Sequence, residues 1–292
     1  MITNVQSLNA KARNFAIENN LSVQQVLQNY MFERFLERLS KSQYKEHFII
    51  KGGLLLSSIM GLNNRTTMDI DADITGIDFK REELENMINN ILSINVLDEV
   101  EIALEEVEDI IEDNEYGGFK FKLIARFKNL RIPFHIDIST GDIITPKAIK
   151  YKYKMMLEDD YIDLYSYNEE TIIAEKLQTI LNRKIANSRM KDFYDLYYFV
   201  AYRWNLIEEN ILKQAIKNTF AKRETLEDLN NISDIILLLE SNKSIKLRWD
   251  DYCKKHLYAS NIKFEDVIEK LNYLKVRFNE KSTYLNNYNI LE

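Results

Sequence analysis

Apolar residues recur along this chain with two different periods, and the switches between them lay out its elements. Over residues 22–39, Val26, Leu27, Tyr30, Met31, Phe35 and Leu39 return at three- and four-residue steps, the spacing of one helix face. Ser22 and Gln25 form a capping box at its start. Residues 7–19 and 81–94 also read as helices. Phe48-Ile49-Ile50 reads as a short buried strand, broken by Lys51-Gly52-Gly53. Residues 54–60 are apolar over two helical turns and stop at Gly61 and the Asn63-Asn64 pair. Thr67-Met68-Asp69-Ile70-Asp71 then alternates polar and apolar, which predicts a half-buried strand with Met68 and Ile70 towards the core.

Three further strands are expected at 100–107, 119–127 and 130–138, the last two as a hairpin about Lys128-Asn129, with a turn at Tyr116-Gly117-Gly118 before them. Residues after Thr145-Pro146 read as helix or loop, and 161–167 as a short extended piece. Residues 169–183 and 189–204 are amphipathic helices, and from Leu206 to the end the pattern predicts four or so more. The order implies an α/β (α+β) fold: a domain over 1–165 with a mixed sheet of about five strands, then an all-helical domain over 166–292.

Composition narrows the class. A chain of 292 residues that is 46% hydrophobic can build a proper core, and 7 Gly with 2 Pro leave little room for linkers. The lone Cys253 excludes an intramolecular disulfide framework and suits a reducing cytoplasm. The first residues lack the long apolar core of a secretory signal, and no apolar run is long enough to suggest a membrane span. A net charge of −7 argues at first against a nucleic-acid partner. Ten acidic residues and no Lys or Arg lie between Asp98 and Glu115, however, and setting them aside takes the remainder from −7 to +3. That run reads as a solvated surface or as a docking site for a basic partner.

The candidate chemistry sits between Lys51 and Asp73. Residues two apart on a strand share a face, so Asp69 and Asp71 project together, with Asp73 a solvated neighbour. Two carboxylates on one face can hold Mg²⁺, a hard ion that takes oxygen ligands. A diglycine between strand and helix lets the backbone approach a phosphate, with N–H groups and the helix N-terminus facing it. Arg65 and Thr66 are further candidate phosphate contacts; an exposed turn arginine is the other reading of Arg65. On the 130–138 strand, His135, Asp137 and Ser139 share a face, and Asp137 is either a third carboxylate of the site or an ordinary strand-end group. A single histidine there carries little weight.

On the helix over 169–183, Lys176 falls within or beside the apolar face and must snorkel or meet an anion. Asp192 and Asp195, three apart, share a face of the next helix, where first-turn acids also suit the helix dipole. Lys243, Lys246, Arg248, Lys254, Lys255 and His256 gather near Trp249 and Tyr252, as a solvated helix face or a basic and aromatic surface for RNA.

The Gly52-Gly53 pair, helix and Asp69-x-Asp71 resemble the signature of the DNA polymerase β-like nucleotidyltransferase superfamily. KGG…RTTMDID, HIDIS, AEKLQTI and RMKDFYDLY, in that order over 48–199, resemble the AbiEii/AbiGii toxins of bacterial abortive-infection toxin–antitoxin systems. The resemblance implies a nucleotidyltransferase domain followed by a helical domain that completes the site. It also implies an NTP substrate, Mg²⁺, a cytoplasmic role in phage defence, and a cognate winged-helix antitoxin. An RNA acceptor, the tRNA 3′ end in some members, is implied for one branch. Transfer to a protein or small molecule, or NTP binding without turnover, are the alternatives. Carried over by motif, Gly52 and Gly53 cradle the triphosphate and Asp69 and Asp71 hold the metal. Asp137 completes the acidic set and acts as base. Lys176 contacts phosphate, Asp192 pairs with it or orients the nucleotide, and Asp195 is a lesser nucleotide contact. Other members carry Gly-Ser where this chain has Gly-Gly, so the serine's contact falls to backbone, Lys51 or Ser57.

Overall fold

The structure, a computed structural model, describes residues 2, 4–110 and 117–279. Glu112, Asp113, Glu115 and Tyr116 of the acidic run and its turn lie outside the described residues, as does the chain beyond 279. Two compact units are present: residues 1–142 with 147–168, and residues 143–146 with 169–292.

The first unit holds, among the described residues, seven strands in one sheet: β1 Phe48–Lys51, β2 Ile70–Ile74, β3 Glu101–Ile110, β4 Gly118–Phe127, β5 Leu130–Ser139, β6 Ile149–Lys154 and β7 Tyr161–Ser166. Their order is β3-β4-β5-β2-β1-β7-β6. The β2–β5 and β1–β7 pairs are parallel and the others antiparallel, which makes the sheet mixed. Two of these strands exceed the expected five. β6 lies where helix or loop was expected, because its sequence IKYKYK alternates lysines with the rings of Tyr151 and Tyr153.

Among the described residues, four helices belong to this unit: α1 Val5–Asn19, α2 Val23–Ser40, α3 Gly52–Met60 and α4 Arg81–Leu92. The Ser22–Gln25 capping box is formed, with Gln25 N–H on Ser22 Oγ at 3.2 Å and Ser22 N–H on Gln25 Oε1 at 2.9 Å. Directly paired residues of neighbouring strands point to the same side of a sheet. The register Ile50↔Ala72, Ile70↔Ile136 and Ala72↔Ile138 therefore assembles one apolar face. α2 packs there, with Phe32 against Phe134 and Phe35 against Phe48 at ring separations of 5.6 and 5.8 Å. The same logic through Lys51↔Asp71, Asp71↔Asp137 and Lys120↔Asp137 puts these four polar residues on the opposite face.

The strand expected at 67–71 begins at Ile70 and continues to Ile74. Met68 therefore precedes it and is 41% exposed instead of entering the core, while Ile70 is fully buried. Asp73, expected to be solvated, is also fully buried, because β2 runs on past the site and Asp73 lies beside Ser139 of β5, with Lys51 Nζ 4.0 Å from it. The described acids of the 98–115 run are largely paired with basic residues of neighbouring strands and helices. Glu106 and Glu108 meet Lys122, Glu105 meets Arg131, and Asp98 is buried against Arg38. No described helix is long and apolar enough to cross a membrane.

The second unit contains α5 Glu169–Arg183, α6 Met190–Tyr198, α7 Glu209–Lys222, α8 Leu226–Asn230, α9 Ile232–Ser241, α10 Lys243–Lys255 and α11 Phe264–Asn279. Phe199–Arg203 continues α6 as a π-helical turn. α10 is tied down by its own unit: Trp249 is fully buried, Arg248 donates to the Ile185 and Asn187 carbonyls, and Lys246 pairs with Glu265.

Candidate active site

The diglycine ends β1 and opens α3. Gly52 has φ +59°, and a Cβ built on it would lie 2.0 Å from Asp71 Oδ2, so only glycine fits. The Gly53 N–H donates to Asp71 Oδ2 at 2.9 Å. A Cβ at Gly53 would come within 2.4 Å of Thr67 Oγ1. That hydroxyl donates to Asp69 Oδ1 at 2.5 Å and fixes the carboxylate just before β2 begins.

Asp69, His135 and Asp137 can each turn one ligand atom into a common space, these atoms lying within 4.8 Å of one another. Asp71 is directly paired with Asp137 across β2–β5, and Asp69 Oδ2 stands 3.8 Å from His135 Nε2. Lys120, from β4, reaches Asp137 at 3.1 Å. Burial, and then the neighbouring Asp69 charge, raise the Asp71 carboxyl above its ordinary range, while the Gly53 N–H pulls it back. A cation would relieve that repulsion. The donors are mainly carboxylate oxygens, which suit a hard divalent ion.

The other residues singled out by the sequence fall as follows. Lys51 Nζ donates to Ser139 Oγ and Asp142 Oδ2, both at 2.6 Å, and so is held among oxygens of its own unit. Ser57 is buried and donates to the Leu54 carbonyl, which removes it as a phosphate contact. Arg65 is buried rather than an exposed turn residue, and donates to the Thr66 carbonyl at 2.6 Å. In the second unit Lys176 does not snorkel. Its ammonium lies 2.5 Å from Asp192 and 3.3 Å from Asp195, whose side chains are nearly or wholly buried. Arg189 reaches Asp192 at 3.0 Å. Burial alone would raise the Asp192 carboxyl, but Lys176 and Arg189 more than offset it and hold it below the ordinary value.

His135 was given little weight by sequence reasoning, and Thr67 was not picked out. His135 shares a strand face with Asp137, which is a usable signal. Thr67 stands two before Asp69, but its role depends on Gly53 lying beside it in space.

A mixed sheet carrying a diglycine turn against paired carboxylates defines a nucleotidyltransferase-type site. The family model described as "Nucleotidyl transferase AbiEii toxin, Type IV TA system" matches residues 34–270, and the chain belongs to that family. It is a nucleotidyltransferase of the toxin–antitoxin class, so NTP substrate and antitoxin partner go with membership. No curated protein matches the sequence. Two solved structures share the fold: a candidate nucleotidyltransferase from H. pylori and JHP933 from Helicobacter pylori. Each is 13% identical with a TM-score of 0.51 and aligns over 88% of this chain, covering 96% and 93% of those chains respectively.

Proposed function

We propose that the chain transfers a nucleotidyl group from an NTP to an RNA acceptor, with a tRNA 3′ end the first acceptor to test, in a Mg²⁺-dependent reaction. The observation that carries this reading is the placement of Asp69, Asp71 and Asp137 around the Gly52-Gly53 opening of α3. Asp69, Asp71 and Asp137 are the residues that hold Mg²⁺, with His135 beside them. When bound, the ion supplies charge neutralisation at the reacting phosphate and lowers the pKa of an acceptor hydroxyl. The Gly53 N–H is taken by Asp71, so the remaining backbone N–H groups at the α3 N-terminus face the triphosphate. Asp137 takes the acceptor hydroxyl proton at its carboxylate, which Lys120 holds in place with its ammonium 3.1 Å from either oxygen. Arg65 and Thr66 support the phosphate-binding turn. Lys51 acts by holding β1 to Ser139 and Asp142. By its motif, Lys176 is assigned to phosphate charge, with Asp192 and Asp195 holding its ammonium. The working place is the bacterial cytoplasm, in abortive infection against phage, with a winged-helix antitoxin as partner.

The test is incubation with total tRNA, Mg²⁺ and each α-labelled NTP in turn, beside Asp69→Asn/Asp71→Asn. Label on RNA from one NTP, lost in the variant, is the expected result. Label on protein alone moves the acceptor to a protein. NTP binding with no label anywhere replaces transfer by a nucleotide-binding regulatory role.

A further inference from the structure

We propose that the open face of the β6–β7 hairpin binds the sugar-phosphate backbone of the RNA acceptor. The inference rests on the acceptor reading above and deepens it. β6 is an edge of the sheet. Lys150, Lys152 and Lys154 alternate along it, all exposed, on the side away from buried Tyr153. They pair directly with Tyr165, Asp163 and Tyr161 of β7. Tyr165 in turn pairs with Ile49, two residues before Lys51, which pairs with Asp71. The lysine row and the candidate catalytic carboxylates therefore share one face of one sheet. By strand spacing, Lys150 is roughly 15 Å from Asp71.

Charge separates these lysines from the others of that face. Lys51, Lys120 and Lys122 each hold a carboxylate. Lys150, Lys152 and Lys154 make no ion pair among the described residues, even with Asp163 directly opposite Lys152. The hairpin's other exposed acids, Asp159 and Asp160, lie at its turn beyond Lys154. Alternate residues of a strand are roughly 6.7 Å apart, close to the separation of successive phosphates in an extended single strand. Tyr161, 53% exposed beside Lys154, offers a ring for a base. Edge lysines also discourage strand pairing, but that role needs neither the ring nor a salt-dependent ligand.

The experiment is fluorescence anisotropy of a labelled 12-nucleotide single-stranded RNA of mixed sequence with the full chain, over a KCl series. Lys150→Gln/Lys152→Gln/Lys154→Gln is expected to weaken binding at least tenfold. It is also expected to flatten the slope of log affinity against log salt by about two, the share of three phosphate contacts on a single strand. The triple Lys→Arg variant should bind as wild type, and Lys11→Gln/Arg13→Gln, which removes exposed charge from α1, should leave binding unchanged. Wild-type affinity and slope in the triple Gln variant overturn the proposal, as does an equal loss in the Lys11/Arg13 control. Lysine-dependent capture by phosphatidylserine vesicles, with no RNA binding, replaces RNA by an anionic lipid surface and also overturns it. The acceptor reading fails separately, when the wild type labels no RNA. If the wild type labels RNA and the triple Gln variant does so with unchanged KM, only the surface assignment falls.

Discussion

Thr67 Oγ1 fills the space that a side chain on residue 53 would need, 2.4 Å from where its Cβ would lie. The same hydroxyl holds Asp69 at 2.5 Å. Gly53 and Thr67 are thus one device: the missing side chain makes room for the hydroxyl that aims the carboxylate proposed to bind the metal. Gly53→Ser should clash and reduce transfer by an order of magnitude or more. Thr67→Val should free the Asp69 rotamer and weaken Mn²⁺ binding, while Thr67→Ser keeps it. Pairing Gly53→Ser with Thr67→Ala should recover part of the loss, since the clash is removed and a hydroxyl returns. Titration with Mn²⁺ beside initial rates checks all four; wild-type Mn²⁺ affinity in Thr67→Val contradicts the role.

Gly52 is the stricter glycine. Its φ of +59° and the 2.0 Å approach of Asp71 Oδ2 to a built Cβ act together. Gly52→Ala should therefore abolish transfer and lower Tm, whereas Gly61→Ala, remote from both carboxylates, should cost stability but retain activity. Rates normalised to folded protein separate the two effects.

Arg38 and Asp98 form a bidentate pair with both bonds at 2.8 Å, and side chains 6% and 2% exposed. Arg38 also donates to the Val100 carbonyl at 2.6 Å, which ties α2 to the approach of β3. Removing one partner strands the other charge, so Arg38→Ala should cost about 3–5 kcal/mol. Arg38→Met/Asp98→Leu should recover much of it, because the desolvation cost of both charges disappears. Urea unfolding of the three proteins is the check.

Burial pushes the Glu33 carboxyl up to about 8, against the Met156 N–H and Arg34, which pull it down. Its folded value lies above the unfolded 4.5, so the native state holds a proton that the unfolded chain releases. This contribution is whole below about pH 4.5, declines as pH rises, and is gone above about pH 8. Glu33→Gln should therefore lose less stability than wild type between pH 5 and about 8.5. Parallel stability curves would exclude a protonated Glu33.

Much of the candidate site was legible because period two is a local property. It places Asp69 with Asp71 and His135 with Asp137 before any strand pairing is known. What escaped depends on partners distant in sequence. Asp73 obeys the same period as Asp71, yet its burial comes from the company of Ser139 and Lys51 on neighbouring strands. Arg65 looks like a turn arginine until the chain folds over it. β6 was passed over since lysines are poor strand formers, although Tyr151 and Tyr153 keep the alternation; Tyr151 shares a 2.7 Å hydrogen bond with Ser58 of α3. The family resemblance implied that Asp192 meets Lys176 or orients the nucleotide, but only the geometry shows both aspartates on one ammonium.

A nucleotidyltransferase of this kind moves the α-phosphate with its nucleoside and leaves pyrophosphate. The most direct measurement is the fate of two labels in one NTP, at the α- and γ-phosphates, with total tRNA and Mg²⁺. The expected result is that α-label enters the acceptor, γ-label leaves as pyrophosphate in equal amount, and Asp69→Asn/Asp71→Asn does neither. Entry of γ-label into the acceptor, or undiminished transfer by that variant, would contradict it.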